Sequence, residues 1–197
     1  MDWTGNRRST FSALGASNHS ECERAENDYY ATYPPAVKAF LDKSGIVLDN
    51  PWEPACGEGH ISKVLEEYGY QVRSTDLIDR GYGKGEVDFL EYTQKWEGDI
   101  ITNPPYSLAM EFINKALTLV DTGRKVVMFL KLTFLEGAKR HKELFSKNPP
   151  KEIWVFSSRI PCARNGNFSH EGKGKAVCYA WFIWEKGYTS DPVIKWL

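Results

Sequence analysis

A chain of 197 residues, 42% of them hydrophobic, can bury one good core, and one domain is the expectation. Its formal net charge of −1 creates no global field for a polyanion, so any nucleic-acid contact must come from a local patch. The absence of a membrane-length apolar run, of an apolar segment in Met1 to Thr10, and of CxxC spacing among Cys22, Cys56, Cys162 and Cys178 excludes a membrane span, a secretion signal and a structural metal, leaving a reduced cytoplasmic chain as the expectation.

Residues 1–27 are rich in Ser, Asn, Gly, Glu and Arg without periodicity, which predicts a flexible tail ahead of a single domain over 28–197. Thr32 or Tyr33 leads into Pro34-Pro35, suited to a first helical turn, and Val37, Phe40 and Leu41 give that helix an apolar face ended by Gly45. Ile46-Val47-Leu48 opens a strand running towards Trp52 and Glu53. A small-residue turn, Pro54-Ala55-Cys56-Gly57-Glu58-Gly59, precedes a helix with Ile61, Val64, Leu65 and Tyr68 on one face. A second strand spans Tyr70 to Thr75 and stops at Asp76. A glycine-laden loop then leads to Val87-Asp88-Phe89 and a strand at 99–102. The next helix bears Leu108, Phe112, Ala116, Leu117 and Val120, with Gly123 at its end.

Val126 to Leu132 is the apolar run of a central strand covered on both faces. A charged helix over about 135–147, a strand at Ile153 to Phe156 and a last, antiparallel strand from Val177 to Trp184 complete the pattern. Strands alternating with helices predict an α/β, Rossmann-like, mostly parallel twisted sheet. Such sheets bind ligands beyond the carboxyl ends of their strands, which gathers Glu53, Asp76, Asp88 and Asn103 along one edge.

The chain is organised around Asp99-Ile100-Ile101-Thr102-Asn103-Pro104-Pro105-Tyr106. Two prolines fix their own φ and donate no backbone hydrogen bond, so they stop the strand in a stiff corner. The corner presents an amide, free carbonyls and an aromatic ring, a set suited to gripping a planar ring that carries an amino group. Asn148-Pro149-Pro150 lacks the aromatic and follows a helix pattern, so it reads as a helix stop. Upstream, glycines at 57 and 59 let backbone approach a ligand closely. Asp76 lies 23 residues after Glu53, near the spacing of a ribose-binding carboxylate. The spacing is neither that of a dinucleotide site nor that of a triphosphate loop, and an acid at the first turn would welcome a cationic amino-acid moiety.

Together, Glu53-Pro54-Ala55-Cys56-Gly57-Glu58-Gly59 and Asn103-Pro104-Pro105-Tyr106 resemble the S-adenosylmethionine-dependent amino methyltransferases. The nearest resemblance is to small, stand-alone DNA N6-adenine methyltransferases of the bacteriophage type. It spans about Tyr29 to Tyr188 and includes Thr32-Tyr33-Pro34-Pro35, Phe129-Leu130-Lys131-Leu132 and Val155 to Pro161. It implies a class I methyltransferase fold with S-adenosylmethionine as cofactor and no metal. Thr32 and the turn with Pro54, Ala55, Cys56, Gly57 and Gly59 would surround the methionine part, with Glu53 near its ammonium group. Asp76 would hold the ribose and Leu77 would pack on the adenine. Asp88 would accept from the exocyclic amine, and Phe89 would supply a backbone amide. Tyr29 and Tyr30 either line the cofactor or cover the core, and Tyr30 counts among the cofactor candidates. Asn103 and the Pro104 carbonyl would accept from the target amine, Pro105 stiffens the corner, and Tyr106 would stack on the base.

The resemblance implies DNA as partner, single-stranded or with a flipped adenine, and a monomer acting in the cytoplasm, the host's if the chain is phage-encoded. The stretch from Arg159 to Lys175 offers Arg159, Arg164, Lys173 and Lys175 to phosphates on a projecting loop, which reads equally as a solvated hairpin. About 90 residues follow the corner, so no separate target-recognition domain is expected and sequence preference should be short or weak. Adenine in RNA, a protein glutamine amide, and an inactive nucleic-acid-binding relic remain as alternatives.

Overall fold

The computed structural model describes residues 29–160, 162–164 and 177–197; the tail expected over 1–27, together with Lys173 and Lys175, lies outside the described residues. The chain runs β1 (Tyr30–Thr32), α1 (Pro34–Ser44), β2 (Trp52–Glu53), α2 (Ser62–Glu67), β3 (Arg73–Ser74), β4 (Ile100–Thr102) and α3 (Ala109–Leu119). It continues through β5 (Lys125–Lys131), α4 (Ala138–Arg140), β6 (Glu152–Val155), β7 (Cys162–Arg164), β8 (Tyr179–Glu185) and β9 (Val193–Trp196). Seven strands form one sheet in the order β3-β2-β4-β5-β8-β6-β9, and β1 pairs with β7 in a separate antiparallel ribbon. Within the sheet β8 alone runs against its neighbours. The mostly parallel, Rossmann-like arrangement with an antiparallel strand at Tyr179–Glu185 matches the sequence expectation.

Chain order reverses at β2: its next strand, β3, lies on one side and β4 on the other. That switch point opens a cleft beyond the carboxyl ends of β2 and β4. Asp99 fixes the opposite end of these strands. Its buried carboxylate accepts the Asp49 N–H at 2.9 Å and the Lys125 N–H at 2.7 Å, and its carbonyl accepts the Trp52 N–H at 2.9 Å. One residue, through its side chain and its carbonyl, thus ties β2, β4 and β5 together, which fixes where Glu53 and Asn103 emerge.

The core divides between the two sheet faces. Val126, Met128 and Leu130 of β5 pack with Phe112, Ile113 and Ala116 of α3, while Val127 and Phe129 pack with Val37 and Phe40 of α1 and Leu65 of α2. Alternate residues of β5 therefore bury on opposite sides, as a continuous apolar strand requires. Tyr33 stands in an extended conformation before α1, and Pro34-Pro35 occupy a first turn whose N–H groups need no partner.

Several elements are shorter than expected. Residues 46–48 form no strand, because the chain turns at Asn50 (φ 43°) and pairing begins only at Trp52. At the sheet edge β3 pairs only at Arg73 and Ser74, opposite the two-residue β2. Tyr68 leaves the buried face of α2 and donates its hydroxyl to Asp42 Oδ1 at 2.7 Å. Leu119 ends α3, four residues before Gly123. The charged helix expected near 135–147 breaks into a 3₁₀ turn (Leu132–Leu135), α4 and a π turn (His141–Phe145), since Gly137 (φ 133°) turns the chain and Arg140 donates to the carbonyls of Phe134 and Glu136. At the other edge β9 adds a strand parallel to β6. Among the described residues no helix is long and apolar enough to cross a membrane.

Candidate functional site

The cleft at the switch point is lined from four directions: the β1 ribbon, the turn after β2, the loop after β3 and the corner after β4. Most of the residues singled out in the sequence meet here. Tyr30 and Thr32 come from β1, and Glu53, Pro54, Ala55 and Cys56 from the first turn. Asp76, Leu77, Asp88 and Phe89 come from the loops that follow, and Asn103 and Pro105 from the corner. Four others stand behind or beside the wall. Gly57 and Gly59 shape the turn, Pro104 is buried, and the ring of Tyr106 packs outside the cavity.

The glycines act through conformation. Gly57 (φ 55°) and Gly59 (φ 80°) occupy the left-handed region, and a Cβ on either would overlap an aromatic ring, that of Tyr29 at Gly57 and that of Tyr82 at Gly59. Asp76 secures the turn from across the cleft. Its Oδ2 accepts the Gly57 N–H at 2.8 Å, and its Oδ1 accepts the Ile78 N–H at 2.9 Å. Each carboxylate oxygen keeps a further lone pair for a ligand hydroxyl.

Glu53 is buried at 2% exposure, and its Oε2 accepts the Ser62 N–H at 2.9 Å and the Ser62 hydroxyl. Burial raises its pKa to about 8, against the lowering effect of those hydrogen bonds and with a smaller push from nearby Asp76. Burial also pushes the Cys56 thiol up to about 12, which makes it an inert wall group. Asp88 is exposed, and its Oδ1 accepts the Leu90 N–H at 2.8 Å. The Phe89 side chain belongs to the core, edge-on to Trp52 at 5.3 Å, so only its backbone faces the cleft chemistry.

Asn103 emerges where β4 ends. Its Nδ2 donates to the Tyr30 carbonyl at 2.7 Å, which fixes the amide orientation. The Oδ1 is buried and has no hydrogen-bond partner among the described residues. Thr32 Oγ1, 2% exposed as a residue, is likewise unpaired. Tyr106, the residue expected to stack on the target base, sits among other rings. It is half-buried, with the Tyr30 ring stacked at 5.5 Å, the Tyr179 ring at 6.1 Å and Lys131 Nζ 4.5 Å above its centre.

Sequence reasoning missed several groups of this wall, among them His60, Ile78, Arg80 and Leu108. Leu108 carried a faint signal, since it follows the corner directly; the structure leaves it 39% exposed at the cleft instead of on the buried face of α3. Tyr29, for which both lining and covering were open, lines the cleft. Of the cations that the sequence offers to phosphates, Arg159 donates to Cys178 Sγ at 2.8 Å. The backbone of Arg164 pairs with Tyr30 in the β1–β7 ribbon, and its side chain lies outside the described residues.

No protein-family model matches the chain, and no curated protein matches it by sequence. Solved structures do match. A protein of Listeria monocytogenes assigned as a class I S-adenosylmethionine-dependent methyltransferase superposes with a TM-score of 0.57 at 12% identity, over 97% of this chain and 71% of that one. One of Pyrococcus horikoshii assigned as an RNA methyltransferase gives 0.58 at 15% identity, over 93% and 99%. A modification subunit assigned to a type I restriction enzyme of Vibrio vulnificus gives 0.54 at 15% identity, over 84% of this chain but 45% of that one. The narrower likeness to phage enzymes rests on the motifs alone. What the chain shares with these proteins is the fold, and that fold is the Rossmann-like fold of class I methyltransferases.

Proposed function

We propose that this chain transfers a methyl group from S-adenosylmethionine to the exocyclic N6 amine of adenine in DNA. The observation that carries the reading is Asn103: an amide whose nitrogen is committed to the Tyr30 carbonyl and whose buried oxygen is an unspent acceptor among the described residues. A buried acceptor left unpaired costs about 1–3 kcal/mol, a penalty that a substrate N–H removes. The cleft residues fit the cofactor. Thr32 Oγ1 is an unpaired hydroxyl, Glu53 an acid for an ammonium group, Asp76 an acceptor for ribose hydroxyls and Leu77 an exposed apolar side chain at the mouth.

When bound, S-adenosylmethionine would supply a sulfonium methyl to the amine nitrogen, leaving as S-adenosylhomocysteine while the proton lost from nitrogen passes to water. The adenine amine is a weak nucleophile because its lone pair is delocalised into the ring. Asn103 Oδ1 and the Pro104 carbonyl accept its two hydrogens, orient it and favour the pyramidal nitrogen that attacks. They also stabilise the positive charge that grows there, the kind of electrostatic help that is largest in a dry, preorganised site. Pro104 and Pro105 keep these acceptors from moving.

The test is mass spectrometry of nucleosides after incubation with S-adenosylmethionine and, separately, DNA and RNA. N6-methyladenine should appear in DNA, and Asn103→Ala should lower its rate by about 10²–10³-fold. Unchanged methylation in Asn103→Ala would refute the role given to that side chain. The RNA arm matters because one similar fold is assigned to an RNA methyltransferase; product in RNA but not in DNA would move the substrate, not the chemistry.

A further inference from the structure

Three acidic side chains, those of Glu53, Asp76 and Asp88, line the cleft. Among the described residues, its only lining side chain with a permanent positive charge is Arg80. Arg80 lies on the loop that follows β3, and its guanidinium carbon is 4.3 Å from the centre of the Tyr29 ring. Tyr29 in turn closes over Gly57, and its hydroxyl accepts the Glu58 N–H at 3.3 Å. The cation is thereby held over the aromatic wall of the glycine turn. Its Nε is buried and has no hydrogen-bond partner among the described residues. A buried guanidinium N–H without an acceptor is costly, and its planar fork is matched best by a carboxylate. His60 also lines the cleft, but burial lowers its pKa, so it supplies no fixed charge at neutral pH.

The geometry points to Arg80 as the residue that binds the α-carboxylate at the amino-acid end of the cofactor, an inference that rests on the methyltransferase reading above. That end of the molecule is a zwitterion. Glu53 answers its ammonium, and Arg80, held over Tyr29, answers its carboxylate. The cleft then selects a zwitterionic amino-acid tail as well as an adenosine, and a ligand that lacks the tail gains nothing from Arg80.

The experiment compares two ligands by calorimetry on the full chain: S-adenosylhomocysteine, and 5′-methylthioadenosine, which keeps the adenosine and thioether but has no amino-acid group. Arg80→Met should weaken S-adenosylhomocysteine by about 10- to 100-fold and leave 5′-methylthioadenosine within about twofold. Arg80→Lys keeps the charge and loses the fork. It should show a smaller loss confined to S-adenosylhomocysteine, which decides the matter even if Arg80→Met unfolds. Equal weakening of both ligands, or no weakening of either, overturns the role of Arg80. A wild-type chain that binds neither ligand overturns the methyltransferase reading itself.

Discussion

A single buried acid shows how the cleft is tuned. Glu53 is held near pKa 8 by burial, against an ordinary value of 4.5, so the native chain keeps a proton that the unfolded chain gives up. The native state binds more protons across that interval, so stability must fall as pH rises from about 4.5 through about 8. Glu53→Gln keeps an acceptor for Ser62 and removes the titration. Thermal unfolding between pH 6 and 9 should therefore show a steeper loss of Tm in the wild type than in the variant. A cationic ligand reverses the preference of the same group, because a nearby ammonium favours the carboxylate. Cofactor affinity should rise between pH 6 and 8 in the wild type and stay level in Glu53→Gln. Calorimetry in two buffers of different ionisation enthalpy reads the released proton directly, and a wild-type affinity that ignores pH would contradict the placement of the ammonium at Glu53.

The glycine turn works as an element because rings pack where side chains are missing. Gly57→Ala must hold a Cβ at φ 55° and push Tyr29 aside. The backbone term alone costs about 1–2 kcal/mol, and the steric part should vanish in a Tyr29→Ala background, so a double-mutant cycle by denaturant unfolding separates the two. A pair of additive losses would mean that Tyr29 does not close the turn. The turn was legible in the sequence because its glycines and strand-end acid sit at a spacing that α/β units impose. The central strand was legible as well, since Val126 to Leu130 are buried in alternation on both faces. Other elements gave no local sign. Tyr30–Thr32 pairs with residues 162–164, a contact between distant parts of the chain that no periodicity announces. Edge strand β9 exposes Val193, Ile194 and Trp196, so it lacks the one-sided pattern by which a strand is recognised. The site divides in the same way. Glu53, Asp76 and Asn103 follow from strand ends, whereas Arg80 reaches the cleft by the path of a loop, which only the folded chain determines.

Across the whole molecule, charge is nearly balanced at −1, so the DNA substrate proposed above would have to be attracted by a local patch. The carboxyl end of β5 offers a candidate for that patch: Lys131 stands over Tyr106 and has no ion-pair partner among the described residues. Arg159 contributes from the segment beyond β6, and the sequence adds Arg164, Lys173 and Lys175 on the way to β8. If these five cations meet phosphates of duplex DNA, each releases about 0.9 counterion, so log K should fall with log salt at a slope of about −3 to −5. Lys131→Met removes one contact without touching the cleft. Fluorescence anisotropy between 50 and 200 mM salt, reading about one unit less slope for that variant and unchanged S-adenosylhomocysteine binding, is the expected outcome. A slope near zero in the wild type would mean that the substrate is not a phosphate polymer, and an unaltered slope in Lys131→Met would assign the lysine to Tyr106 alone. Because the aromatic ring and the cation share one position beside the corner, loss of Lys131 should weaken DNA at every sequence alike, which distinguishes positioning of the strand from reading of its bases.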